Sequence, residues 1–494
     1  MRTMKYKLWG ALLCLCAVAL SLATPLLESQ GPSPRYHQHR DAPVKAEETR
    51  GSGFATHLPL VEIDTGGVEI PGRTVYGEDG SRSYATAADG SDRISAHMDI
   101  VDHETEYNHP GDTPAVSADI TIHVRGRSSR LFEKSSYAIR LVAEDGVSND
   151  PQPVMGMDAH HEWVLHGPYL DKSLMRNYMW YNIGGEIMGY APNVRFCEVM
   201  LNGAYQGVYV MLENLTAGDD GARLPLTVSA KNNTFSGYLL QFNGGWETSR
   251  TMTNQFSYYA KRTQSPLEIV YPGRSSLTPE MARAISQDFS DFEKALYSFD
   301  YDTKAYGYDR YIDTQSFIDY FLINEVTCNY DAGWFSTYIG KDPAGELHMY
   351  LWDMNSACDN YQEQPVDREN FAMQNVLWFS MLMKDEKFTN ALIDRYWELR
   401  ETLLDPDYLC AYIDETAVFL GDAAERNYAR WGDVYVLEEP LLTPADREIH
   451  SFAEALAQMK DFLRQRIGWM DENIDALRQY AAESKVKKYN ENAN

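Results

Sequence analysis

The apolar residues of this chain change their spacing about halfway along, and that change limits the fold more than any other feature. Ala118 to Val124 alternates apolar and polar residues, and Tyr137 to Val142 does so again after the turn-like Arg125 to Ser129. A period of two predicts half-buried strands. Phe196 to Leu201 and Gly207 to Leu212 flank Asn202-Gly203, a hairpin signal with a loop longer than two residues. One helix is predicted within this region, Asp171 to Met188, capped by Asp171 or Ser173 and stopped by Gly189. Helical spacing then takes over, at Pro279–Phe299, Thr314–Cys328, Asn375–Thr402, Asp407–Leu420 and Ser451–Tyr480. Among these helices lies one β stretch, Trp334–Ile339 and Leu347–Trp352, joined by the turn Asp342-Pro343-Ala344-Gly345. The pattern predicts an α+β fold with two lobes and a cleft between them. Its β-rich N-terminal lobe would span about 58–275 and its mainly helical C-terminal lobe 276–480.

The ends read differently. Arg2, Lys5 and Lys7 precede a charge-free apolar run from Leu8 to Ala23, which closes on Ser21-Leu22-Ala23. This is the pattern of an export signal over 1–24, and the run is shorter than the ~20 residues of a spanning helix. A membrane contact is expected only if that signal stays uncleaved as an anchor. Residues 25–57 are poor in apolar side chains and read as a flexible linker, and 481–494 as a polar tail. The chain is therefore expected to be secreted or held at the cell surface. Cys14 and Cys16 leave with the signal, and Cys197, Cys328, Cys358 and Cys410 are too widely spaced for a zinc pattern. Whether those four pair or stay buried as thiols is open at this level. With 44 basic and 72 acidic residues the formal charge is −28. Such a surface repels phosphate backbones, which excludes nucleic acid as a partner.

No HExxH, GxSxG or GxxxxGK[ST] motif occurs. His160-His161-Glu162 is a poor chelate, because adjacent histidines are expected to point apart. Arg125-Gly126-Arg127-Ser128-Ser129 leaves a strand through a glycine, and Lys134 follows just before the next strand. Successive amides, two hydroxyls and two guanidiniums suit an anion such as phosphate, and a solvated basic turn is the other reading. Asn324 and Glu325 sit inside an apolar helix, Asn329 and Asp331 fall at its end, and Asp353-Met354-Asn355 ends an apolar strand. Two acids at the ends of neighbouring elements, each beside an amide, suit a Mg²⁺ ligand and a general base. They suit turn and helix caps equally well.

Four segments together resemble the spore-coat protein H (CotH) kinase family, a group of atypical protein kinases. They are Arg125–Ser129 with Lys134 and Tyr137; Asp171 to Asn177; Asn202 to Tyr209 through Glu213; and Asn324-Glu325 through Asp331 to Trp352-Asp353. The resemblance implies an atypical protein-kinase-like fold binding ATP with Mg²⁺ (or Mn²⁺). It implies Lys134 as the nucleotide-phosphate lysine, with Arg125, Arg127, Ser128 and Ser129 as the phosphate-covering loop. Glu186 is then the residue expected to pair with Lys134, and Glu213 lies where the adenine-binding linker belongs. Asp331 takes the catalytic role and Asp353 the metal, with Asn329 and Asn355 as further ligands. The expected reaction is transfer of the ATP γ-phosphoryl group to Ser, Thr or Tyr of an exported or surface protein. One departure stands out, since the family often shows Trp-Asp-x-Asp and Asn355 replaces the second acid here. That opens an alternative, a catalytically silent surface module for adhesion or carbohydrate or cell-wall binding.

Overall fold

In a computed structural model, describing residues 35–46, 53–218, 223–228, 236–243, 250–252, 254–263, 265–433, 441–482 and 486, the first half of the chain rolls into a barrel. Its strands are β1 (Leu60–Asp64), β2 (Ile94–Val101), β3 (Val116–Val124), β4 (Tyr137–Val142), β5 (Glu162–His166), β6 (Val194–Leu201) and β7 (Ala204–Glu213). They close in the order β1-β6-β7-β5-β4-β3-β2, with β1 parallel to β6 and antiparallel to β2. Ile120, Ile122 and Val124 of β3 face the barrel interior beside Ile139 and Leu141 of β4, as the alternation predicted.

β6 and β7 are buried on both faces, so they read as near-continuous apolar runs. Cys197, Val199, Tyr209 and Met211 fill the barrel. Phe196, Val208, Val210 and Leu212 point the other way, into a second and larger core. The loop between these strands is only Asn202-Gly203, shorter than expected, because both residues take positive φ (51° and 75°) and β7 starts at Ala204.

Among the described residues, six longer helices and a sheet build most of the second core. The helices are α1 (Arg176–Met188), α2 (Pro279–Leu296), α3 (Thr314–Thr327), α4 (Glu386–Arg400), α5 (Pro406–Trp431) and α6 (Phe452–Asn473). Each of α2 to α6 starts on a Thr, Asp or Ser whose side chain accepts a first-turn amide. α1 starts five residues later than predicted. Asp171 accepts the Arg176 amide at 2.8 Å from outside the helix, across a turn in which Leu174 takes φ 63°. Gly189, at φ 72°, stops it as predicted.

The predicted hairpin, here β10 (Thr337–Lys341) and β11 (Leu347–Tyr350), is half of a four-stranded sheet. β8 (Tyr238–Phe242) and β9 (Leu267–Tyr271) complete it in the order β9-β8-β10-β11. This corrects the lobe boundary at 275, which would cut through paired strands. The described residues from Gln38 onward fall in one compact unit, distinct from Met1–His37. The expected linker is also shorter than 25–57. The Gln38 side chain bonds both the N–H (2.7 Å) and the C=O (3.2 Å) of Phe196, and the Ala46 amide donates to Thr105 at 2.8 Å. The signal over 1–24 and most of the tail lie outside the described residues. Among the described residues no helix is long and apolar enough to cross a membrane. Cys197, Cys328, Cys358 and Cys410 are buried and unpaired. His160 and His161, expected to point apart, stack at 4.3 Å.

Candidate functional site

The N-terminal end of α1 holds the site together. Asp171 accepts hydrogen bonds from Ser173 and from the buried Arg176 guanidinium (2.6 Å). Arg176 also donates to the Ala357 carbonyl (2.9 Å) and to Gln458 (2.8 Å), so one desolvated cation joins α1, the segment after β11, and α6. One turn along, Asn177 accepts the Met354 amide at 2.9 Å, and the Tyr181 hydroxyl accepts the Asp353 amide at 2.8 Å. Asp353 is held at φ 57°, a left-handed conformation uncommon for a non-glycine residue. Its side chain accepts from Ser336 at 3.2 Å. Sequence reasoning missed Asn177, Tyr181 and Ser336 in this role. The first two look like ordinary residues of an apolar helix, and only the Asp171–Asn177 segment hinted at them.

Asp331 follows α3 through Cys328, which ends the helix at φ 44°. The Asp331 carbonyl accepts from the Trp334 (3.0 Å) and Phe335 (2.8 Å) amides, which tightens the turn. Its carboxylate accepts no hydrogen bond from the described residues. Burial and then the neighbouring Asp353 push the Asp331 carboxyl up to about 7, with Arg127 opposing. Asp353 is likewise raised by burial, with Arg125 and Ser336 opposing. Asp353 is thus near enough for its charge to act on the Asp331 carboxyl.

The Arg125–Ser129 turn faces them. Arg125 lies 5.6 Å from the ring of Trp352, the residue before Asp353, and Arg127 lies 5.2 Å from Phe335, the residue before Ser336. Ser128 is exposed and Ser129 half-buried at the start of a short 3₁₀ turn. The loop is braced from outside, by Arg130 on the Gly126 and Gly72 carbonyls and by Arg82 on the Arg127 carbonyl, each at 2.7 Å. Gly126 sits at φ 107°, and a Cβ there would meet Ser129 Oγ at 1.9 Å. Gly126→Ala is therefore expected to lower stability by about 1–2 kcal/mol and to loosen this turn, which urea melts would show.

Other expected members lie elsewhere. Lys134 is buried at 1% exposure, with its amine 2.7 Å from Asn427 of α5. Burial holds that amine well below the usual lysine range, against the field of Asp171. It bonds neither Asp331 nor Asp353. Glu186 is exposed on α1 near Tyr408 and does not pair with Lys134, which corrects that expectation. The buried carboxylate of Glu213 is taken up by Asn193 (2.9 Å) and Arg223 (3.0 Å).

The donor set suits a hard divalent cation. Asn329 Oδ1 and Asn355 Oδ1 are buried with no hydrogen-bond partner, while Asn329 Nδ2 is fixed by Asn324 at 3.0 Å. Two carboxylates and two amide oxygens match Mg²⁺ or Mn²⁺. Among the described residues no group of three or more His, Cys, Asp or Glu forms a metal cage.

Two comparisons bear on this arrangement. Residues 122–470, which contain the basic turn, α1, both acids and most of α6, match the family described as CotH kinase protein. The chain is also 22% identical over 336 residues to the inner spore coat protein H of Bacillus subtilis (strain 168), covering 62% of this chain and 87% of that protein. The match takes in the greater part of the sequence, and on it the chain belongs to the CotH kinase protein family.

Proposed function

We propose that the chain is a phosphotransferase, moving the γ-phosphoryl group of ATP to a Ser, Thr or Tyr hydroxyl of an exported or surface protein. The observation that carries this reading is Asp331, a carboxyl with no hydrogen-bond partner, raised to about 7 beside a second acid and across from arginines. A base near neutrality can accept a hydroxyl proton and later release it. Bound MgATP would supply the phosphoryl group and the metal charge that neutralises it. In this reading Asp353 holds the cation, with Asn329 and Asn355 as neutral ligands, and the Arg125–Ser129 turn covers the phosphates. Tyr181 and Asn177 fix the Asp353 backbone. Likeness to a spore coat protein favours an acceptor in an outer coat or surface layer.

The test is incubation of the purified chain with γ-labelled ATP and Mg²⁺ or Mn²⁺. Label should pass to the protein itself or to an added hydroxyl acceptor, and Asp353→Asn should abolish it. Label transfer undiminished in Asp353→Asn would remove the reading.

A further inference from the structure

Lys134 and Arg125 are two of the cations that the resemblance sets against a nucleotide phosphate, and they differ in what already holds them. The Lys134 amine lies under the surface, 2.7 Å from Asn427 Oδ1 and 5.2 Å from the Tyr209 ring. Asn427 Oδ1 also accepts the Val208 amide at 3.1 Å, so one amide oxygen ties the far end of α5 both to β7 and to the lysine before β4. The guanidinium of Arg125 is only half-buried and donates no hydrogen bond to the described residues. It lies 5.6 Å from the ring of Trp352, the residue directly before Asp353. A side chain with five donors left unsatisfied beside a metal-type carboxylate is prepared for a polyanionic ligand.

We propose that Arg125, not Lys134, is the residue that binds the nucleotide phosphates, and that Lys134 is a buried strut between the barrel and α5. This rests on the phosphotransferase reading and reassigns one role within it. Arg125 would form charge-assisted bonds to phosphate oxygens on the side away from the metal, with the Arg125 amide anchored to the Ser136 carbonyl at 2.8 Å.

The test is calorimetric titration of MgATP into the unmodified chain, Arg125→Gln, Arg125→Lys and Lys134→Met. Arg125→Gln should weaken binding about tenfold or more, and Arg125→Lys should recover part of it. Lys134→Met should bind within about threefold of the unmodified chain, since Asn427 keeps the Val208 amide as donor. If Lys134→Met does not fold, Asn427→Asp serves instead. It leaves the lysine in place and ties up its charge, and affinity should again be unchanged. Loss of binding in Lys134→Met or Asn427→Asp, with Arg125→Gln binding normally, would overturn the assignment. Absence of MgATP binding in the unmodified chain would instead overturn the phosphotransferase reading on which it rests.

Discussion

Replacing Arg466 by Met is expected to destabilise the protein by about 3–5 kcal/mol, because it strands a buried carboxylate. Arg466 and Glu325 are both fully buried and form an ion pair between α6 and α3. Arg466 also donates to the carbonyls of Glu325 (3.1 Å), Arg368 (2.6 Å) and Asn370 (2.7 Å). Glu325 in turn accepts the amides of Ala372 (2.9 Å) and Met373 (2.7 Å). The substitution removes the cation and leaves three carbonyls and a carboxylate short of donors. The further change Glu325→Leu should recover part of the loss, since an apolar pair carries no uncompensated charge. Urea denaturation of the single and double variants checks this, and a loss under about 1 kcal/mol for Arg466→Met would show that the pair is not formed. The effect reaches the site, because α3 carries Glu325 one turn before the segment that presents Asp331.

The second large effect has the opposite sign. In metal-free protein at pH 8, Asp331→Asn is expected to raise stability, on the order of 2–4 kcal/mol. Burial and Asp353 raise the folded-state carboxyl to about 7, against 3.8 for the ordinary side chain. The folded protein therefore binds this proton more tightly than the unfolded chain does. Stability from this group is complete below about pH 4 and is lost as pH rises through 7. Asparagine cannot ionise, so the variant lacks that loss. The stability gap between the two proteins should be widest at pH 8, narrow steadily through pH 5 and nearly close at about pH 4, which controls for the general effect of acidifying a chain of charge −28. Urea melts in chelator across that range measure it. A destabilised Asp331→Asn would mean that the carboxylate serves only as a structural cap. Stability given up at a reactive group is a familiar cost of function.

The strand period made β3 and β4 legible, because each alternates between a core and a more exposed face, and α3 was legible from its long apolar run, which is buried all round from Phe317 to Thr327. Barrel closure was not legible, since the parallel pairing of Leu60 with Glu198 leaves no local mark. β8 is five residues, all but one buried, too short to separate from a helical fragment by period. The spacing predicts a helix over Asp407–Leu420, whereas α5 kinks at Gly421 (φ 42°) and continues to Trp431, against β7. The spacing predicts one helix over Asn375–Thr402, and Asp385 instead caps a new one at Glu386. In the site, both acids were legible as carboxylates at the ends of apolar elements. Lys134 is what the resemblance implies for the phosphates, and a motif match cannot tell which cation faces the acids. Asn427, which holds that amine, lies 293 residues away.

The central claim is that Asp331 and Asp353 form a metal–nucleotide site, and thermal melting of chelator-treated protein tests it most directly. Mn²⁺ with a non-hydrolysable ATP analogue at a hundred times its Kd should stabilise the unmodified chain by about 2.7 kcal/mol. Asp353→Asn should fold and show no such gain, because the carboxylate that holds the cation is gone. An equal gain in both proteins, or none in the unmodified chain, would contradict the account.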